Sequence, residues 1–592
     1  MGRFGWAHRA AIGCVVAGML AGQAAVASAE PYPLRWFYLA SNFAVAQNAD
    51  RAIALIEEAS RAGLNGVVLA DAKFATLGKY NHDSPSNPYY RNIRRVLDVC
   101  RRNGVEVVVY LPTISKAHGI LAHDPNLAAG YEVRDAVFEV RSGTARLVQD
   151  PAVRVANGGF EDAVNQRFRG WDRQDDPGSA VVADRGTARM GVMSARLQFG
   201  DARRLGHARL GQRLKVAPRR CYRVSLWLQT GGLAPTESFN ILIRGARGGQ
   251  VRVLAYNRFS VKATQSWTQM ETVFNSLDYE EIDVYLGLFG VRSGRAWVDD
   301  VELTEVGLVN VLRRPGCPLT VRSWDGRATY VEGQDFEPVY DPLLGKAGDR
   351  AGIFDRFHPA PDIRFRKGVP DGTRLRVGFY HPLIIHANQI DCCMSEQKVF
   401  DILEDTIRRL NRLLDSPKYW WLGYDELRTG GGCRLCKASG KTPGQLLAEH
   451  VRRVSEMVRK ERQGAEIVVW YDMFYPGSNA KDEYYLVEGS LTGSWEGPDP
   501  SVMVSKWSVL GRDECMRFFA DRGHRQILSA DFDSVKDPAG FLQSWLESMD
   551  AVSGVQGIMY TTWTGRYDYL SAFGRTLKSH SIPASASRPV PN

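Results

Sequence analysis

The sequence predicts an α/β protein, a (β/α)8 barrel of the TIM type with an all-β sandwich inserted into one of its loops. Toward both ends of the chain, short Val/Ile/Leu runs alternate with helical patterns, which is typical of buried parallel strands joined by helices. Between residues 157 and 306 the pattern becomes period-two strands with Gly, Asp and Arg turns, and no convincing helix intervenes. An open, doubly wound sheet is the alternative for the α/β part.

The N-terminal residues 1–29 have the pattern of a secretory signal peptide. Arg3 and Arg9 precede an apolar stretch from Ala10 to Val26, and small residues follow at 27–29. A lipid anchor at Cys14 is disfavoured because this cysteine lies too early in the apolar run. We therefore expect a secreted or periplasmic protein without a membrane anchor.

The rest of the chain has the composition of a globular protein and is long enough for two or three domains. It has 592 residues, 44% of them hydrophobic, and a formal charge of +9. This mild positive charge is compatible with acidic glycans. No basic run with interleaved aromatic residues is present, so nucleic acid is not an expected partner.

Nine apolar runs are candidate barrel strands, one more than a barrel needs. In chain order they read RWFYLASN, GVVLAD, VEVVVYLP, RLRVGFYHP, YWWLGYDE, EIVVWYDM, VMVSKW, QILSADFD and GIMYTTW. A tenth and weaker run is LTGSWEG. The expected domains are a first barrel part at 30–150, the sandwich at 151–308, connecting hairpins at 309–370 and a second barrel part at 371–592.

The ends of the inserted segment carry its most recognisable residues. The segment begins NGGFED at Asn157, has Gly170-Trp171 soon after, and ends AWVDDVEL near Leu303. In these features it resembles the carbohydrate-binding jelly rolls that accompany many glycosidases. The resemblance implies a jelly-roll sandwich and a carbohydrate partner, and it leaves open whether the sandwich itself binds glycan.

Acids and aromatic residues gather where the predicted strands end, which is the functional face of a parallel barrel. Carboxylates can bind sugar hydroxyls and perform acid/base chemistry, and aromatic rings can pack on sugar faces. The candidate catalytic residues are Asp425, Glu426 and Asp472. The candidate substrate-binding residues are Tyr380, His381, Arg428, Trp470, Tyr471, Trp495, Trp507, Asp531 and Trp563.

The element Gly423-Tyr424-Asp425-Glu426 resembles the catalytic strand end of β-N-acetylhexosaminidases of the chitobiase type. In that family the Glu is the general acid, and the preceding Asp orients the substrate's own acetamido group, which attacks the anomeric carbon. Tyr424 stands where the family has a second glycine, and the family's preceding His is missing. The resemblance implies a substrate-assisted glycoside hydrolase with Glu426 as acid and Asp425 as stabiliser.

Three other interpretations of the acids stay open. Glu426 and Asp472 would form the pair of an ordinary two-carboxylate glycosidase. Alternatively, the chain is a non-catalytic glycan-binding protein, or Asp425-Glu426 is a loop that forms an ion pair with Arg428. No phosphate-binding glycine motif and no nucleophile elbow occurs, so no cofactor is expected.

Eight cysteines follow the signal segment, and they include Cys392-Cys393 and Cys433-x-x-Cys436. In an oxidising compartment this pattern favours disulfides over a zinc site, because adjacent cysteines fit the usual zinc spacing poorly. We therefore expect no metal ion in this protein.

Overall fold

Eight parallel strands close a barrel in the computed structural model, which describes residues 32–199, 206–247 and 250–580. The predicted signal segment lies outside these residues. The barrel strands are β1 (Leu34–Ala40), β2 (Gly66–Ala70), β3 (Glu106–Pro112), β4 (Tyr419–Gly423), β5 (Glu466–Trp470), β6 (Met503–Lys506), β7 (Gln526–Asp531) and β8 (Val555–Thr561). Strand β8 pairs with β1, which closes the ring.

Helices follow most of these strands and cover the outside of the barrel. They are α1 (Ala46–Ala62), α2 (Pro88–Arg102), α3 (Gln397–Leu413), α4 (Pro443–Glu461), α5 (Arg512–Ala520), α6 (Pro538–Asp550) and α7 (Leu570–Ser579). Local sequence sets their starts: a Thr442–Gln445 capping box and Pro443 begin α4. The described connection between β5 and β6 has 3-10 turns and no α-helix, so the helical layer is interrupted there.

Large side chains fill the interior of the barrel. Trp36, Trp421 and Trp470 are almost fully buried there, together with Val, Ile and Met side chains from the other strands. Gly66 makes this filling possible, because a Cβ at that position would overlap the Trp36 ring. The barrel is therefore a packed core with its ligand-accessible space at the strand ends.

Two five-stranded antiparallel sheets form within residues 173–305. The first has the order Gln265–Asn275, Cys221–Ala234, Ser293–Glu305, Ser194–Gln198, Val181–Asp184. The second has the order Gln250–Arg258, Phe239–Arg247, Glu281–Leu288, Ala208–Lys215, Arg173–Gln174. Their facing apolar side chains share one core.

A six-stranded sheet stands between the sandwich and the barrel, and it corrects one strand assignment. Its order is Thr329–Tyr330, Thr320–Ser323, Arg374–Pro382, Gly130–Arg141, Thr144–Leu147, Ile363–Arg364. The run RLRVGFYHP, expected in the barrel, is therefore an antiparallel strand beside Gly130–Arg141. Its first half alternates exposed or half-buried residues with buried ones, and only its last four residues, Phe379 to Pro382, are buried in succession like a barrel strand. The weak run LTGSWEG is a 3-10 turn, Ser494–Glu496.

Among the described residues, no helix is both long enough and apolar enough to cross a bilayer.

Candidate active site

A cavity of about 300 Å³ opens at the carboxyl ends of the barrel strands. Two acids, one lysine and three tryptophans line it: Lys116, Asp425, Glu426, Trp470, Trp507 and Trp563. The acid pair that the sequence singles out therefore lies beside aromatic side chains from three other strand ends.

Gly423, the last residue of β4, fixes the position of Asp425. A Cβ at Gly423 would overlap the Tyr110 hydroxyl group, so the missing side chain leaves room for that ring inside the barrel. The Tyr110 hydroxyl then donates a hydrogen bond to Asp425 Oδ1 at 3.2 Å. The hydroxyls of Thr113 and Ser115 both donate to the Gly423 carbonyl, which holds the strand end in place.

Lys116 bridges the two acids. Its Nζ lies 2.5 Å from Asp425 Oδ2 and 3.2 Å from Glu426 Oε2. Burial acts to lower the pKa of Lys116, but the two carboxylates outweigh it and the pKa is raised. The lysine is therefore a cation, and 45% of its side chain is exposed to solvent.

Glu426 adopts a left-handed backbone conformation, with φ of 51°, and several groups hold it there. Its N–H donates to Asp472 Oδ2 at 2.8 Å, and its carbonyl accepts from Gln389 Nε2 at 2.8 Å. Its side chain forms an ion pair with Arg428 at 2.7 Å. Strain of this kind is maintained only where the surroundings fix the residue, and here they aim the carboxylate into the cavity.

Asp391 is a buried residue that connects the loops around the acids. One carboxylate oxygen accepts from the Lys116 N–H at 2.9 Å, and the other accepts from the N–H groups of Arg428 and Thr429 at 3.0 and 2.9 Å. Asp391 thus fixes the loop that carries Lys116 relative to the loop that follows Glu426. It is a positioning residue with no access to the cavity.

Asp472 lies behind the acid pair. It is fully buried, and its Oδ2 accepts from Glu426 N–H and from Asn479 Nδ2, both at 2.8 Å. Its Oδ1 has no hydrogen-bond partner among the described residues. Burial, reinforced by the charge of Asp425, raises the pKa of Asp472 to about 7.

Aromatic side chains form the remaining wall. Trp563 is 58% exposed, and its ring lies 5.1 Å from Tyr38 and 6.3 Å from Trp470. Asp533 holds the Trp563 loop by accepting from the Trp563 N–H at 2.7 Å. Tyr471 is buried behind the wall, where its ring packs against Trp507 at 5.7 Å.

Three of the nine predicted substrate-binding residues line the cavity, and six do not. Arg428 pairs with Glu426 and Tyr471 packs behind the wall, as described above, and the other four lie elsewhere. His381 and Tyr380 lie in the six-stranded sheet, and His381 contacts Cys221 and Asn275 of the sandwich at 3.7 and 3.1 Å. Burial lowers the pKa of His381 to about 3, so it is neutral. Trp495 packs against Phe518. Asp531, at the end of β7, accepts the Asp533 N–H and does not line the cavity.

Sequence reasoning missed Tyr110, Lys116, Gln389 and Asp391. Tyr110 lies inside a predicted strand, where it is opposite Trp421, and the register between the strands brings its ring beside Gly423. Lys116 and Asp391 lie in loops far apart in the chain, and no local pattern connects them. The only available signal was that the Lys116 loop follows directly after a strand end.

Comparison with known proteins gives weak similarities. No protein-family model and no curated protein matches the sequence. A rhamnosidase structure from Novosphingobium sp. PP1Y is 12% identical and covers 93% of this chain and 60% of its own, with a TM-score of 0.32. A CBM4 structure is 15% identical and covers 26% of this chain and 99% of its own, with a TM-score of 0.20.

A CBM22-1 xylan-binding domain from Paenibacillus barcinonensis is 13% identical, with a TM-score of 0.20, and covers 27% of this chain and 96% of its own. Similarities at this level identify neither the family of this chain nor its ligand.

Proposed function

We propose that this protein is a glycoside hydrolase whose reaction takes place at the mouth of the barrel. The observation that carries the proposal is the adjacent pair Asp425 and Glu426 in a cavity walled by three tryptophans. Carboxylates next to aromatic surfaces suit a substrate with hydroxyl groups and apolar ring faces. The cavity volume of about 300 Å³ is at the small end of ligand sites, which fits one sugar ring at the reacting position.

The arrangement supports the substrate-assisted route, with Glu426 as general acid and Asp425 as stabiliser of an acetamido group. Asp425 Oδ2 and Glu426 Oε2 both contact Lys116 Nζ, at 2.5 and 3.2 Å. Because both carboxylate oxygens contact the same nitrogen, the distance between them is shorter than the roughly 6.5–9.5 Å that separates the two carboxyl groups of inverting enzymes and admits a water molecule. Tyr110 supports Asp425 from the opposite side, so the acetamido N–H would meet a fixed acceptor.

Lys116 has to yield to the substrate in this scheme. Its contact with Glu426 is the longer one, and its side chain is the more exposed partner of the pair. A sugar that enters the cavity would displace the ammonium from Glu426 and leave it on Asp425. Glu426 Oε2 would then be free to hold a proton for the leaving oxygen, while Oε1 stays paired with Arg428.

The two-carboxylate alternative with Asp472 has less support. Asp472 is completely buried, does not line the cavity, and already accepts the Glu426 N–H. A nucleophile must reach the anomeric carbon, and this carboxylate would have to leave both of its donors to do so. We therefore assign Asp472 to positioning Glu426.

A non-catalytic glycan-binding function is the second candidate, and a groove on the sandwich favours it. The groove has a volume of about 400 Å³ and is lined by charged and aromatic side chains, including Arg167, Asp175, Arg209 and Phe289. Its Tyr285 ring lies between Arg173 and Arg244, with the Arg244 Nη2 donating to the hydroxyl at 2.6 Å. The arginines would suit an acidic glycan.

Hydrolysis of matched substrates tests the proposal. We expect 4-nitrophenyl 2-acetamido-2-deoxyglycosides to be cleaved and their 2-hydroxy counterparts to be left intact. A thiazoline that mimics the cyclised intermediate should inhibit, because it resembles the transition state more than the substrate does. Asp425→Asn should slow the reaction strongly, since it removes the charge that supports the developing oxazolinium ion.

Other outcomes separate the alternatives. Cleavage of 2-hydroxy sugars, together with covalent labelling of Asp472 by a 2-fluoro glycoside, would replace the acetamido route with the two-carboxylate one. Binding of glycans without turnover of any of them would favour the non-catalytic function.

We also propose that the protein is exported, on the pattern of residues 1–29. N-terminal sequencing of the mature protein from a Gram-negative host should begin near Glu30. Protein that remains in the cytoplasmic fraction with residues 1–29 still attached would contradict export.

A further inference from the structure

Four buried cysteines meet at one place beside the active-site loops. Cys393, Cys433 and Cys436 have thiol sulfurs that all lie within 4.8 Å of one another. The Cys317 sulfur lies at the edge of this group, since a Cβ built on Gly130 would be 2.7 Å from it and 3.6 Å from Cys433 Cβ. All four side chains are at most 2% exposed. Three separate stretches of chain supply them, so the fold itself brings the thiols together.

The expected disulfides are not present in this structure. Among the described residues, all eight cysteines are free thiols, which corrects the sequence-based preference for disulfides. The Cys393 sulfur lies 3.6 Å from that of Cys433 and 3.5 Å from that of Cys436. Zinc with Zn–S bonds of about 2.3 Å in a tetrahedron separates its sulfurs by about 3.8 Å. The observed spacing is close to that of a metal site.

The surroundings are suited to thiolates rather than to thiols. The Cys436 N–H donates to the Cys433 sulfur at 3.5 Å, and the Ser395 hydroxyl lies 3.3 Å from the Cys436 sulfur. The buried Arg314 guanidinium lies close enough to interact with Cys317, Cys393 and Cys433, and it shares its charge with Glu396 at 2.5 Å. Hydrogen bonds and charges of this kind orient metal ligands and stabilise them.

A glycine makes room for the group. A Cβ on Gly130 would lie 2.7 Å from the Cys317 sulfur and 3.6 Å from Cys433 Cβ. Only a glycine therefore allows the first residue of the strand Gly130–Arg141 to pass this close. The backbone is fitted around the sulfurs, as a built site requires.

We propose that Cys317, Cys393, Cys433 and Cys436 bind one structural Zn²⁺ ion. Soft thiolate ligands in a closed tetrahedral set select zinc, and four protein ligands leave no open position for catalysis. Cys317 is the neighbouring thiol that would supply the fourth ligand, and its sulfur would have to move toward the other three when the ion binds. The neighbouring Cys392 is not part of the set.

The proposed metal site is positioned to stabilise the loops that line the active-site cavity. Cys393 comes two residues after Asp391, which fixes the Lys116 loop, and Cys433 follows the Arg428–Thr429 loop that Asp391 also holds. A metal shared by these stretches would keep the support of the acid pair rigid. The ion would act through loop geometry and take no part in the chemistry.

Metal analysis of the full-length protein, purified without reductant and without added metal, tests the proposal. We expect about one zinc per chain by plasma mass spectrometry, and X-ray absorption should show four sulfurs at about 2.3 Å. Replacement by Co²⁺ should give thiolate-to-cobalt charge-transfer bands. Iron in place of zinc would overturn the metal assignment, and a disulfide among the four cysteines in the native protein would overturn the site.

Paired serine variants separate a ligand from its neighbour. Cys393→Ser should lose the zinc and lower the midpoint of thermal unfolding by about 5 °C or more. Cys392→Ser, which changes the adjacent buried thiol, should keep the metal at full stoichiometry. Equal zinc in both variants would overturn the proposal. Because the absorption spectrum is measured on the unaltered protein, the proposal stays testable even if Cys393→Ser does not fold.

Discussion

Replacing Glu426 with Gln removes the proton donor of the proposed reaction and keeps the size of its side chain. General acid catalysis typically contributes about 10²–10⁴-fold, so kcat/KM on an unactivated glycan should fall by that factor. This loss corresponds to about 3–5 kcal/mol of transition-state stabilisation. A glycoside with a good leaving group needs less protonation, and its rate should fall much less.

The contacts of Glu426 indicate that the same substitution should hardly affect stability. The contact with Lys116 is 3.2 Å long, and the lysine side chain is 45% exposed, so this ion pair is weak. The charge of the 2.7 Å pair with Arg428 is also lost, but the amide oxygen of the new side chain can still accept from that guanidinium. Arg428 also keeps its bond to Gln389, and Lys116 keeps its contact with Asp425. The free energy of unfolding should therefore change by about 1 kcal/mol or less.

Steady-state kinetics on both substrates, together with urea unfolding, checks this prediction. Glu456→Gln on the exposed face of α4 is the matched control, because Glu456 forms no ion pair with any described residue, and it should retain full activity. Turnover of the unactivated glycan by the Glu426 variant at near the original rate would refute the assignment of the acid. An equal loss on both substrates would refute a role in leaving-group protonation.

Three further predictions concern the neighbours of the pair. Gly423→Ala should displace Tyr110 and cost about 1–3 kcal/mol of unfolding free energy with a loss of kcat, whereas Gly368→Ala, where a Cβ meets no atom within 4 Å, should change neither. Folded Asp472 has a pKa of about 7 and an unfolded Asp about 4, so the folded state holds the extra proton between these values and Asp472 lowers stability as pH rises. Asp472→Asn should remove this pH dependence. The difference in unfolding free energy, variant minus wild type, should therefore rise by at most about 4 kcal/mol from pH 4 to pH 7.5. A difference that does not change with pH would contradict the raised pKa. Trp563→Ala should raise KM by about 2- to 10-fold with little change in melting temperature, and an unchanged KM would remove this exposed ring from the binding surface.

Hydrophobic periodicity was sufficient to predict the barrel strands. The runs at Leu34–Ala40 and Tyr419–Gly423, like the other six, are continuous and apolar because both faces of a barrel strand are covered by protein. The same reasoning failed for Arg374–Pro382, because its continuously buried end, Phe379 to Pro382, resembles a barrel strand although its first half alternates between exposed and buried residues. Only the hydrogen-bond partners of that strand, which a single sequence does not contain, distinguish the two cases.

The candidate site divides in a similar way. Asp425 and Glu426 could be found because they follow directly after a strand end, and the rim rule applies to them without further information. In the sequence, Lys116 is separated from the acids by the inserted sheets, and Asp391 is separated from them by helix α3. Their placement depends on long-range packing. The cysteine group was misread for a related reason, since Cys317 is far in sequence from the CxxC pair beside which it lies.

A crystal structure of the E426Q variant with an unactivated acetamido glycan is the most direct test of catalysis by Asp425 and Glu426. We expect a sugar ring in the cavity beside Trp470, Trp507 and Trp563, with its acetamido N–H donating to Asp425. The scissile oxygen should lie within hydrogen-bond reach of the side-chain amide at position 426, at about 2.6–3.2 Å. A glycan bound only in the sandwich groove, with the barrel cavity empty at saturating concentration, would contradict the account.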